Sequence, residues 1–185
     1  MTFLERIKRV LLLDQGVYRE VRDDKAALLQ GVAIVLAAGF LGAVGSIIAS
    51  YIPNDFINEI FGPLLGLFDL ILLPLVFLIC LPITTLIAHI PAKLLGGKSS
   101  YMGFLRSIAF TDAPGIFSVI PVIGAIIATI WSFICYILAI RSAHELSWGK
   151  TAAVVIISIV LLVILVVLLA ILVGILYYML ETVSI

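Results

Sequence analysis

Polar and apolar positions divide this chain into a charged arm and a series of long apolar runs joined by short polar segments. In the arm, residues 1–26, Phe3, Leu4, Ile7, Val10 and Leu11 recur at helical spacing while Glu5, Arg6, Lys8 and Arg9 take the other side. That pattern suits an amphipathic helix lying among lipid headgroups, with Arg6, Lys8 and Arg9 as candidate lipid contacts. Beyond it, five apolar runs predict membrane-spanning helices at about 27–51, 62–90, 103–118, 122–141 and 151–179, within one transmembrane domain over 27–185. The segment 52–61 reads as a short polar loop.

Breakers and small residues modulate these runs. Pro74 and Pro82 each remove a backbone donor, so the second span is expected to kink or to contain a short broken section. In the third run Pro114 disfavours helical geometry at Ala113, and Thr111 or Asp112 can cap a new half-helix that the proline begins. A break near Asp112 follows. Pro121 and Gly124 mark the turn into the fourth span, and Gly39, Gly42 and Gly45 place small residues along one face of the first.

Composition turns this pattern into a class. With 64% hydrophobic residues, 12% charged and a mean hydropathy of +1.33, the chain is too apolar for the surface of a soluble domain. It reads as an all-α polytopic membrane protein. A net charge of zero argues against a nucleic-acid binder. Cys80 and Cys135 lie inside apolar runs and read as reduced packing residues, while the first 26 residues lack the sustained apolar core of a cleavable signal peptide. All 11 lysines and arginines fall on one side of the five-span layout, which puts the N-terminus in the cytoplasm and the C-terminus outside. Charge leaves open whether residues 101–141 cross fully or form a re-entrant hairpin.

Candidate chemistry is sparse. Asp69, about two turns inside the second span, and Asp112 are intramembrane carboxylates, functional candidates because such groups are costly in a bilayer. They could bind a cation, relay a proton or pair with Arg106, whose guanidinium can also snorkel to the headgroups. Equally, Asp112 could cap a broken helix and Asp69 bond a hydroxyl or water. His89 reads as interfacial and His144 as part of a solvated turn. No phosphate loop, ligand cluster or nucleophile with a base is visible, so no enzyme activity, cofactor or metal is expected.

The run AKLLGGKSSYMGFLRSIAFTDAP, continuing through IPVIGAIIATIWSFICYILAIRSAHELSWGKTAA, resembles the prokaryotic branch of the Yip domain family, as does the lead-in VYREVRDDKAALLQG. These multipass proteins are named for interaction with Ypt/Rab GTPases. The resemblance implies a five-span fold in a prokaryotic cytoplasmic membrane, without catalytic residues. The arm lacks the long cytoplasmic extension of eukaryotic members, which argues against a Rab-type GTPase partner. The expected role is a membrane scaffold or adaptor assembling with itself or other integral membrane proteins, in contact with membrane lipids. The alternatives are a small transporter or channel component using Asp69 and Asp112, and a membrane-shaping protein acting through the arm.

Overall fold

The computed structural model describes residues 2–183, and every regular element among them is helical. Two short helices form the arm, α1 (Phe3–Leu11) and α2 (Gly16–Asp23). A capping box starts α1: Thr2 Oγ1 accepts from the Glu5 amide, and the Glu5 carboxylate accepts from the Thr2 amide. The Asp14 carboxylate accepts from the Gly16 amide and so fixes the entry to α2.

The arm packs against the bundle. Val10, Val17, Tyr18 and Val21 are fully buried in the same core as Ile108, Phe110, Cys135 and Ala139. Burying such side chains is worth roughly 1.5–3 kcal/mol each relative to water. Polar contacts fix the register: Ser107 Oγ donates to the Tyr18 carbonyl at 2.8 Å, and Arg141 donates to Gln15. The amphipathic repeat is real, but protein covers much of its apolar face.

The apolar runs follow. α3 (Ala27–Ala49) occupies most of the first expected span. The segment expected as a polar loop instead contains α4 (Asp55–Phe61), capped by Asn54, whose side-chain oxygen accepts from the Ile57 amide. A 3₁₀ turn at Gly66–Phe68 leads into α5 (Asp69–Leu94). α5 passes without a break through Pro74, Pro82 and Pro91, so the broken section expected there does not form.

α6 (Tyr101–Ala109) gives way at Phe110 to a 3₁₀ helix, Phe110–Val119. The change of geometry therefore precedes Asp112, which sits inside the 3₁₀ segment with Pro114 instead of capping a second α-helix. Pro114 cannot donate to an α-helical ladder and its ring would crowd the Phe110 carbonyl. Ten residues of 3₁₀ geometry is long for that conformation. The chain then turns on Val122, at φ +62° and ψ −72°, with the Ile123 amide donating to the Pro121 carbonyl at 2.7 Å. This is a γ-turn, and a β-branched residue there is strained. α7 (Ile123–His144) and α8 (Trp148–Val183) complete the fold.

The segments Ala27–Ala49, Asp55–Leu94, Ile123–His144 and Trp148–Met179 are long and apolar enough to cross a membrane. The chain is an integral membrane protein. The α6–3₁₀ element packs between α3 and α7 at the centre of the bundle. Its contacts with α3 ascend in step: Gly31 lies against Ala109, Ala38 against Gly115, and Gly45 against the Ser118 carbonyl. The two elements therefore run side by side in the same direction. From Gly31 to Gly45 an α-helix rises roughly 21 Å, and from Ala109 to Ser118 a 3₁₀ helix rises roughly 18 Å.

Candidate functional site

Asp112 lines an open-sided cavity of about 560 Å³, bordered by α3, α5, the α6–3₁₀ element, α7 and the first part of α8. The walls are mainly apolar. Hydroxyls from Thr84, Ser118, Thr129, Ser132, Tyr136 and Ser158 punctuate them. Several of these donors are committed to their own helices: Thr84 to Cys80, Thr129 to Ala125 and Ser158 to Val154 carbonyls. Among the described residues no side chain donates to the Asp112 carboxylate and no cation pairs with it. The cavity thus presents one carboxylate and a ring of hydroxyl oxygens able to accept from a guest.

Asp69 lies elsewhere. It occupies the first turn of α5, not a position two turns within a helix, and is 1% exposed. Oδ2 accepts from the Leu65 amide at 3.3 Å, while Oδ1 is buried without a hydrogen-bond partner. It borders a second cavity of about 380 Å³, together with Glu59, Ser46 and Pro121. Gly42, Ser118 and Thr129 line both cavities, so the two carboxylates flank adjoining spaces. Glu59 lies in the segment expected as a polar loop; Asn54 followed by Asp55 is the signal for the start of the helix that carries it.

Arg106 reaches neither aspartate. Its Nε and Nη2 donate to the Arg22 carbonyl at 3.1 and 2.5 Å, which ties α6 to the end of α2. The basic residues at this end form a network of long-range bonds. Arg22 donates to the Ala143 carbonyl and to Glu145, Lys98 pairs with Glu145 at 2.9 Å, and Lys150 donates to the Leu95 carbonyl. Lys98 and then Arg22 hold the Glu145 carboxyl down at about 2.

The three basic candidates of the arm separate. Arg6 is 5% exposed and faces inward, bonded to Glu20, Asp24 and Gln30. It is therefore placed as an internal clamp rather than at lipid. Arg9 engages Asp14 and Glu20, and Lys8 points outward. Hydrogen bonds from Arg9 and from the Gly16 amide hold Asp14 below its ordinary value, and Arg6 does the same for Asp24.

Of the remaining candidates, Pro74 packs against Gly39, where a Cβ would meet its backbone. Pro82 accepts the Tyr101 hydroxyl on its carbonyl at 3.0 Å. Pro114 is buried beside Gly115, which abuts Ala38. Pro121 supplies the turn acceptor, and Gly124 leaves room for the Phe117 carbonyl. His144, expected in a solvated turn, is instead fully buried in the last turn of α7, 4.5 Å from the Phe104 ring and 5.1 Å from the His89 ring. The two Cys thiols are free.

Compared with protein-family models, the sequence matches the Yip1 domain over residues 8–182. The chain belongs to the Yip1 domain family. The match runs from within α1 almost to the end of α8. Neither the search of curated proteins nor that of solved structures returned a match. The Yip1 domain assignment fits the integral membrane character of the helices.

Proposed function

We propose that this Yip1 domain protein is a non-enzymatic scaffold or adaptor that assembles with itself or with other integral membrane proteins. In this reading the α6–3₁₀ element is a fifth crossing, because it runs in step with α3 over about two-thirds of that helix, Gly31 to Gly45. The basic network then faces the cytoplasm of a prokaryotic cell, and α8 carries the C-terminus outward.

One observation carries the proposal. α8 packs against α5 and α7 chiefly through its beginning; from Ile159 to Tyr177 nearly all of its side chains are exposed on the bundle's surface. A stretch with no charged group from Ile159 to Tyr177 and so little internal packing contributes little to its own bundle. Partner helices or lipid must cover it. Native mass spectrometry after mild extraction, on the parent and on Asp69→Asn/Asp112→Asn, tests this. A defined assembly that survives both changes supports the scaffold, and a monomer without any co-purifying membrane protein refutes it.

The Asp112 cavity favours a second reading, a small transporter or channel component. Loss of ion or proton flux in proteoliposomes on Asp112→Asn would support that reading. The membrane-shaping alternative has less of the arm to act through, because Val10, Val17, Tyr18 and Val21 are buried in the bundle while Leu4 and Leu12 stay exposed.

A further inference from the structure

At the basic end of the bundle a pocket of about 360 Å³ opens where α2 passes into α3, beside the first turn of α6 and the end of α7. Four cations line it, Arg22, Lys25, Lys98 and Arg106, against two carboxylates, Asp23 and Glu145. The surplus is not merely formal. Asp23 and Glu145 are committed to Arg22 and Lys98. Arg106 spends its guanidinium hydrogen bonds on a carbonyl and forms no ion pair, though Asp23 and Asp24 lie within its field, and Lys25 has no ion pair or side-chain hydrogen bond among the described residues.

The pocket is also built. Gly103 backs three of its lining residues: a Cβ there would lie 2.9 Å from Arg22 Cγ and 3.1 Å from each of the Ser99 and Ser100 hydroxyls. A side chain at this position would fill the space the arginine stem and the two serines now share. Arg22 is held by the Ala143 carbonyl at 2.8 Å and Arg106 by the Arg22 carbonyl, so two guanidinium groups are fixed in place before any ligand arrives. Cations concentrated in a concave site at the polar ends of apolar helices have the chemistry of a phosphate receptor at headgroup depth.

We propose that this pocket binds a phosphate oxyanion, supplied by the headgroup of an anionic glycerophospholipid such as phosphatidylglycerol. Lys25 and Lys98 close over the phosphate, while Arg22 and Arg106 form the fixed back wall. Glu145 competes with the ligand for Lys98 and Arg22. The proposal does not depend on assembly. It relies on the proposed orientation only for which leaflet supplies the lipid, and a nanodisc offers both.

The test uses the full chain in phosphatidylcholine nanodiscs doped with phosphatidylglycerol, with lipid retention read by native mass spectrometry. Basic residues near an anionic surface contribute about 1 kcal/mol each, so Lys25→Gln/Lys98→Gln should weaken phosphatidylglycerol retention by about 30-fold. Lys25→Arg/Lys98→Arg should restore it. Glu145→Gln should move the other way, tightening retention about fivefold. These side chains are at the surface, and Glu145→Gln guards against a trivial loss from misfolding. Inorganic phosphate in lipid-free detergent distinguishes the sources. The same variant order there assigns the pocket to the free anion, and that order with lipid only assigns it to the headgroup. Equal retention by the parent and Lys25→Gln/Lys98→Gln, or weaker retention by Glu145→Gln, overturns the proposal.

Discussion

The contact between α3 and α5 provides the sharpest quantitative test of the packing. A Cβ placed on Gly39 would lie 2.6 Å from Pro74 Cα and 2.8 Å from Pro74 N. Carbon atoms sit comfortably at about 3.5–4.0 Å, so Gly39→Ala forces the two backbones apart by about 1 Å. Neither neighbour is a flexible side chain that can swing away, and overpacking of this kind costs about 1–3 kcal/mol. Gly42, one step along the same glycine repeat, has nothing within 4 Å of its Cβ position and borders both cavities. Gly42→Ala should be neutral or gain up to about 1 kcal/mol from helix propensity. Thermal unfolding in a mild detergent reads the difference, and at roughly 2–4 °C per kcal/mol Gly39→Ala should melt about 2–12 °C below the parent. Gly42→Ala should not. If the two variants melted alike, close approach at Pro74 would not be what holds α3 to α5.

Three further outcomes are expected. Arg6→Ala strips Glu20, Asp24 and Gln30 of a buried cation and should raise hydrogen exchange across residues 2–23 at a cost of about 1–3 kcal/mol, discounted because both carboxylates are about one-third exposed; Lys8→Ala should stay within about 0.5 kcal/mol. The carboxyls of Asp14, Asp23, Asp24 and Glu145 all sit below their ordinary values in the folded chain, so their contribution is complete above about pH 4.5 and drains away on acidification, for Glu145 down to about pH 2. Proteolytic nicking between α1 and α2 should therefore rise with acid, and protection that increased as pH fell would contradict the network. Asp112→Asn removes an unpartnered carboxylate from the bundle and should raise the melting temperature by a few degrees, checked in the same detergent assay, whichever functional reading holds.

The apolar runs located the long helices to within a few residues at α3, α7 and α8, because bilayer-scale apolar stretches have few alternatives. The arm shows where that logic stops. One-sided apolar spacing looks the same whether the other side of the interface is lipid or protein. What buries Arg6 is Glu20, Asp24 and Gln30, up to 24 residues away. His144 was misplaced for a similar reason, since its pocket is assembled from α5 and α6. The rule that proline breaks helices failed at α5, where three prolines sit inside one helix, yet it held in part at Pro114, where α-helix turns to 3₁₀. Asp112 was legible as an intramembrane carboxylate; that it faces open space rather than Arg106 required the fold.

The bonds that secure the arm also set an order of events during synthesis. Val10, Gln15 and Arg22 find their partners at Cys135, Arg141, Ala143 and Glu145, separated from them by 121 to 126 residues of chain. At about 5–20 residues per second, the ribosome supplies those partners roughly 6–25 s after the arm has emerged. α6 and the 3₁₀ segment, which bring Ser107, Ile108 and Phe110 to the arm, are made earlier, so Val10, Val17, Tyr18 and Val21 gain their neighbours in two stages. The seat of the arm is complete only when α7 has been made, so the first part of the chain to emerge is among the last to be fixed.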